Sequence, residues 1–304
     1  MTDDRRAILW VLAGATLFAS QDMLIKLFGD RLSLLQIIFF RSLLGVVLIG
    51  LYYRLTGTSI RIISPFPALA IARGVLTFTG HILLFSALLR LPLVEVTALY
   101  FTYPAFIGLL APLIVGRRTR YSEWLAIGVA LFGVFLLCDV VGWADDLVMS
   151  PAHFLPIACA FCYTLVVLLT KKTAGSDTLL EQSLHVHLMA MILAIGLPVV
   201  GFFGGAYGSV SPAATLLSAP WHMSDAMAWL ALLLIAASGV AAMFCLTHAY
   251  RKGQPAQLAP FEYFMIVASL IYGTLIWHDV VTPQEFIGII LIILSGIYLT
   301  RQMQ

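Results

Sequence analysis

Five ionisable side chains stand inside long apolar stretches: Asp22, Lys26, Arg41, Arg73 and Glu262. A charge at the centre of a membrane helix costs about 2.5–3.5 kcal/mol on insertion scales, so such residues face a polar cavity or a partner. At ~1.5 Å of rise per residue, Asp22, Lys26 and Arg41 lie within roughly 5–12 Å of one boundary of their stretches, and Arg73 and Glu262 about 12 Å from the other. Asp22 and Lys26 are four residues apart, so they share a helical face and can pair. That pair reads either as a structural device fixing helix register, with Lys26 reaching toward headgroups, or as part of a binding or gating site. Arg41, Arg73 and Glu262 stand too deep for such reach and are expected to face one shared polar centre. A planar carboxylate or phosphate would meet an Arg there in bidentate geometry, and a cationic group would meet Glu262 or a ring face.

Aromatic residues flank these charges. Tyr100, Phe101, Tyr103 and Phe106 precede or surround Pro104, and Phe261, Tyr263 and Phe264 follow Pro260. Proline removes a helical hydrogen bond and frees a carbonyl, which suits a cavity wall or a hinge as well as simple packing. Tyr100, Tyr103 and Tyr263 are the expected wall. His81, midway along its stretch, reads as a neutral hydrogen-bonded structural histidine or as a group exchanging protons near neutral pH. His185 and His187 cannot both face one surface. Glu95, Glu123 and Glu285 begin apolar stretches, where a carboxylate favours the positive end of the helix dipole; Glu95 can also face a vestibule.

The elements that must carry these groups are ten apolar stretches, read at 7–29, 33–53, 65–89, 93–115, 122–141, 151–170, 180–203, 226–250, 255–277 and 283–300. Apolar residues make up 61% of the chain and charged ones 11%, against about a quarter charged in soluble domains. About 20 mostly apolar residues span a bilayer as helix. Continuous rather than alternating hydrophobicity excludes a barrel. The first stretch follows Arg5-Arg6 as a secretory signal would, but its length and its two charges make it the first span.

Basic residues fall on alternate loops. Arg5, Arg6, Arg54, Arg61, Arg117, Arg118, Arg120, Lys171, Lys172, Arg251, Lys252 and Arg301 lie on one side, twelve in all, against Arg31 and Arg90 on the other. Under the positive-inside rule both termini face the cytoplasm. These charges suggest contact with anionic lipid rather than nucleic acid. The fold class is therefore all-α and integral to the membrane, with the lipid bilayer as its main partner.

Ten spans divide into five and five about an outer loop near 142–150, giving repeats at 1–141 and 151–304 that must enter the membrane in opposite senses. A shift of 162 residues places Arg90 on Lys252, Glu95 on Gln257, Phe101 on Tyr263, Glu123 on Glu285 and Trp124 on Phe286. Inverted halves can exchange conformations and open a central cavity to either side in turn, which is the logic of a transporter. Small residues allow close packing: Gly128 and Gly133 on the fifth span, Ala237 and Ala241 on the eighth. The loop at 204–225 is the longest, with Trp221 as an interfacial anchor.

Other chemistry finds little support. Cys159 and Cys162 have redox or metal spacing without a second Cys/His pair, and with Cys138 and Cys245 they read as packing residues. Asp145-Asp146 has no companion ligands, and no HExxH, P-loop or Gly-rich nucleotide motif occurs. No enzyme activity, cofactor or metal is expected. Few residues suggest the continuous polar pore of a channel. Without an ATPase motif, energy must come from gradients or exchange, and Glu262 beside aromatics is a candidate for carrying a proton.

The strings Phe39-Phe40-Arg41, Ala72-Arg73-Gly74, Pro92-Leu93-Val94-Glu95-Val96-Thr97-Ala98-Leu99, Tyr103-Pro104 and Ala259-Pro260-Phe261-Glu262-Tyr263 resemble the drug/metabolite transporter superfamily, in particular its EamA-type members. The resemblance runs from Ala7 to Thr300. It implies two inverted five-helix repeats around a central cavity and secondary transport of small organic metabolites or cationic drugs. Gln21-Asp22, Arg41 and Arg73 look most like the branch with S-adenosylmethionine-type uptake carriers, where Asn-Asp is usual in place of Gln21-Asp22. With both charge signs and an aromatic wall, the expected substrate is a small zwitterionic, amino-acid-like molecule crossing the inner membrane; an exporter of drugs or hydrophobic cations is the alternative.

Overall fold

A computed structural model describes residues 3–29, 31–57, 59–114, 121–137, 150–173, 176–203, 221, 226–252 and 259–302. Most of the 204–225 loop, the Asp145-Asp146 pair, the junction at 142–149, Cys138, Gln257 and the side chain of Glu123 lie outside the described residues. The helices are α1 (Asp3–Phe28), α2 (Leu34–Thr56), α3 (Pro67–Leu88), α4 (Leu93–Tyr100), α5 (Tyr103–Ile114), α6 (Tyr121–Leu137), α7 (Phe154–Lys172), α8 (Leu179–Phe203), α9 (Ala226–Lys252), α10 (Phe264–Tyr272) and α11 (Pro283–Gln302). A 3-10 turn (Pro151–His153) leads into α7, another (Ala259–Tyr263) into α10, and a π turn (Gly273–Trp277) follows α10. No strand occurs among the described residues.

Among the described residues, seven helical segments are long and apolar enough to cross a membrane, and Trp124–Val134, Phe261–Trp277 and Pro283–Ser295 are shorter apolar helices. The chain is a multi-pass membrane protein. Helices suit this setting because they satisfy their own backbone groups where no water can. Large apolar side chains such as Leu51, Ile71, Phe132, Leu233, Phe244 and Ile290 point outward, while Gln21, Asp22, Arg73 and Glu95 are buried. Apolar outside and charged inside is the arrangement that lipid favours.

Local signals fix the helix ends. Gly57 ends α2 in the left-handed region (φ 66°), its N–H bonding Tyr53 O at 3.0 Å. Pro67 opens α3, where its missing N–H costs nothing. Thr178 and Glu181 form a reciprocal cap at the start of α8, and Thr282 and Glu285 do the same for α11. Glu285 thus serves as the helix-start residue expected of it.

The packing respects an exchange of halves. If α1–α3 correspond to α7–α9, α4 and α5 to α10 with its flanking turns, and α6 to α11, the most extensive contacts between the halves fall into mated sets. The contact of α1 with α9 answers that of α7 with α3, and α3 with α8 answers α9 with α2. The contact of α1 with α10 answers that of α7 with α4 and α5, while α2–α8 and α6–α11 pair equivalent helices directly. Gly133 makes the last contact possible: a Cβ there would stand 2.8 Å from the backbone oxygen of Gly288 and 3.0 Å from Ile292 Cγ1. Gly128, by contrast, faces open space.

The interruptions also correspond. The ring of Pro104 cannot coexist with a helical carbonyl at Tyr100, and the helix breaks at Phe101–Thr102. Thr102 Oγ1 takes up the Leu99 carbonyl at 2.7 Å, and Thr164 of α7 donates to Tyr103 O at 3.1 Å. In the second half the 3-10 turn gives way to α10 after Tyr263, the residue 162 positions on from Phe101. The rings of Phe101 and Tyr263 meet with centroids 4.8 Å apart.

Candidate functional site

Two clusters occupy the interior where α1–α4 of the first half meet α7–α10 of the second. The first is ionic. Asp22 (4% exposed) and Gln21 (2%) face inward from α1. The Asp22 carboxylate lies beside the Gln21 amide and within electrostatic range of Arg41 from α2. Arg41 Nη1 stands 2.7 Å from His81 Nε2 on α3. A guanidinium only donates, so His81 accepts at Nε2 and is neutral. His187 of α8 stands close enough to feel the Arg41 charge, its ring occupying the space that a side chain at Gly45 would need.

The second cluster is aromatic. Tyr100, Tyr103 and Tyr163 are in mutual ring contact at 5.1–5.6 Å, with Phe101 against Tyr100 and Tyr103. The Tyr103 hydroxyl points to Glu262 Oε2 at 3.5 Å. Tyr263 is buried on Phe101, its hydroxyl without a partner among the described residues. Tyr100 joins the two clusters, since the charges of Asp22, Arg41 and Glu262 all act on its hydroxyl.

Two expectations need correction. Lys26 does not pair with Asp22. Its Nζ donates to the carbonyls of Leu88 (3.1 Å) and Leu91 and lies 5.4 Å from the Trp277 ring centre. The Leu88 carbonyl ends α3 and the Leu91 carbonyl lies in the turn that follows, and a lysine satisfies such unpaired carbonyls well; Asp22 turns toward Arg41 instead. Nor does Arg73 join Arg41 and Glu262 in one centre. Eight residues before His81 on α3, it lies about 12 Å along the axis, 1% exposed, with Nη1 donating to Thr173 Oγ1 at 2.8 Å and Asp177 nearby.

Arg73 belongs to a network joining the halves at the end with most basic residues. Ser64 Oγ donates to Asp177 Oδ2 at 2.7 Å, and Arg61 N to Glu181 Oε1 at 3.0 Å. His185 Nε2 meets Arg61 O at 3.2 Å, and Gln182 Nε2 donates to Thr173 Oγ1 at 3.1 Å. His185 and His187 do face different surroundings. At the opposite end Glu95 Oε2 takes His153 Nε2 at 3.3 Å, both side chains buried, and Thr97 Oγ1 donates to Ser269 Oγ at 2.9 Å.

Sequence reasoning missed Tyr163, His153, Thr173 and Asp177, and left Gln21 and His187 outside the site. Thr178-x-x-Glu181 is a capping signature that would have placed Glu181 at a helix start. Tyr163 carried no signal of its own.

The EamA-like transporter family model matches residues 5–138 and again 150–301. The pseudopaline exporter CntI of Pseudomonas aeruginosa (strain UCBPP-PA14) is 26% identical over 300 residues, 97% of this chain and 95% of that protein. An S-adenosylmethionine uptake transporter of Rickettsia bellii is 22% identical over 292 residues, covering 95% and 91%. An uncharacterised transporter of Helicobacter pylori (strain ATCC 700392 / 26695) is 23% identical over 289 residues, covering 94% and 92%. A protein of known crystal structure shares the fold over 98% of each chain, with a TM-score of 0.62 at 18% identity. A family pattern that fits each half in turn accounts for the paired contacts and the paired helix breaks, and the chain belongs to the EamA-like transporter family.

Proposed function

We propose that this chain is a secondary transporter that carries a small zwitterionic, amino-acid-like metabolite across the inner membrane by alternating access. Its halves, 1–141 and 151–304, act as inverted five-helix repeats in a ten-span protein with both termini in the cytoplasm. The observation that carries the reading is the enclosure of both charge signs, buried Asp22 and half-buried Arg41, between halves whose main contacts are related by exchange. The basic end then faces the cytoplasm. A cysteine placed within 204–218 is expected to react with an impermeant thiol reagent from outside intact cells, and one within 117–121 is not; the reverse labelling would overturn the orientation.

The kinship supports transport of an organic metabolite but not its direction, since one relative is named for uptake and another for export. Glu262 beside Tyr103 favours a second reading, an exporter of hydrophobic cations, and is also our candidate for proton coupling. Counterflow in proteoliposomes against zwitterions (amino acids, betaines), anions and hydrophobic cations, between about pH 5.5 and pH 8, separates these. Exchange of zwitterions is expected. Preference for simple hydrophobic cations, unaffected by Arg41→Ala, would replace this reading by the second.

A further inference from the structure

We propose that Gln21, Asp22, Arg41 and His81 form the site for an α-amino-carboxylate head group, the ammonium on Asp22 and Gln21 Oε1 and the carboxylate on Arg41, which His81 holds in place. This rests on the reading that the cargo is zwitterionic, and it assigns the amine to Asp22 rather than to Glu262.

The geometry is that of a site built for both charges at once. Because Arg41 donates to His81 Nε2 at 2.7 Å, the imidazole proton is on Nδ1. That Nδ1 is buried and has no acceptor among the described residues. Gln21 turns its amide toward Asp22 and leaves Oε1 buried without a donor among the described residues. The two sides lie close together. A Cβ built on Gly239 of α9 would overlap Gln21 Oε1 and stand 3.2 Å from Arg41 Nε, so one glycine backbone abuts both.

An ion pair serving only to hold helix register would close into direct contact. No such pair joins Asp22 to Arg41 among the described residues, although each acts on the other electrostatically. Among the described residues the cation is hydrogen-bonded to His81 alone, which leaves guanidinium donors for a ligand, and beside the anion stands an unused acceptor. A carboxylate needs donors and an ammonium needs acceptors, so this is the complement of a zwitterion. The aromatic cluster is the poorer amine site. Its three tyrosine rings touch at 5.1–5.6 Å and leave no gap for a cation between them, and Glu262 already receives the Tyr103 hydroxyl. Tyr100, next to both clusters, is placed to meet whatever side chain follows the head group.

The test uses the purified full-length chain and three matched series: L-methionine, L-phenylalanine and L-leucine, each beside its decarboxylated amine and its deaminated acid. Binding is read as thermal stabilisation against concentration. At least one intact amino acid is expected to bind about tenfold or more tightly than either truncated partner, as loss of a charge-assisted bond implies. Asp22→Asn should erase the advantage over the acid, and Arg41→Gln the advantage over the amine. Truncated partners that bind as well as the amino acids in the wild-type protein overturn the proposal whether or not the variants fold. So does full discrimination retained in a folded Asp22→Asn. If betaines exchange in proteoliposomes while no amino acid binds, the head-group assignment fails and the zwitterion reading stands. If neither occurs, both fail.

Discussion

Arg73→Ala is expected to remove nearly all transport without weakening substrate binding. Arg73 lies buried beside Thr173 with Asp177 nearby, away from Arg41, and among the described residues its Nε and Nη2 have no partner and Asp177 Oδ1 has none either. No ion pair joins Arg73 to Asp177 directly among the described residues, but Asp177 acts on Arg73 electrostatically, and leaving a buried charge uncompensated costs about 3 kcal/mol, the lower end for contact pairs. Here that cost falls on the arrangement in which the loop before α3 lies against the loop before α8. At 1.4 kcal/mol per factor of ten, a bias of that size against the closed arrangement changes its population by roughly a hundredfold or more. The maximal exchange rate should therefore fall by about two orders of magnitude, with half-saturation nearly unchanged. Arg41→Gln should do the opposite and raise half-saturation first. Arg73→Gln, which keeps a donor for Thr173, should fall between. A large rise in half-saturation for Arg73→Ala in folded protein would return Arg73 to the substrate site.

Much of this was legible in the residues themselves. Burying Asp22, Arg41, Arg73 and Glu262 in apolar sequence is costly enough that composition alone marks them, and Pro104 fixes the helix break because its ring excludes the carbonyl four residues earlier. The correspondence of Phe101 with Tyr263 was visible as a weak shift of 162, and it became a ring contact. Partners were not legible. Asp22 and Lys26 share a helical face by spacing, but which neighbour each takes depends on what the other helices bring. The end of α3 and the turn after it each bring a carbonyl to Lys26, and α2 brings a guanidinium to Asp22. Arg41 and Arg73 fell into different clusters because an arginine side chain cannot bridge the axial distance between them, a limit that the depth of each residue already implied. Tyr163 and His153 gave no periodic or spacing signal, since their roles exist only once α7 packs on the helix break and on the start of α4.

The account stands on the two halves parting at the basic end in every cycle, and a reversible tether there tests it most directly. Ser64 and Asp177, one on each half, are joined by a 2.7 Å hydrogen bond. In a background with Cys138, Cys159, Cys162 and Cys245 replaced, Ser64→Cys with Asp177→Cys is to be linked by a short thiol-cleavable reagent in proteoliposomes, and counterflow measured before linking, after linking and after reduction. Arg61→Cys with Glu181→Cys, from the neighbouring contact at 3.0 Å, provides a second pair if the first lacks activity before linking. The single variants control for modification alone. Exchange should fall to background in the linked protein and return on reduction, while ligand binding persists throughout. Undiminished exchange in fully linked protein would mean that cargo crosses without separation of the halves at this end, which contradicts alternating access through them.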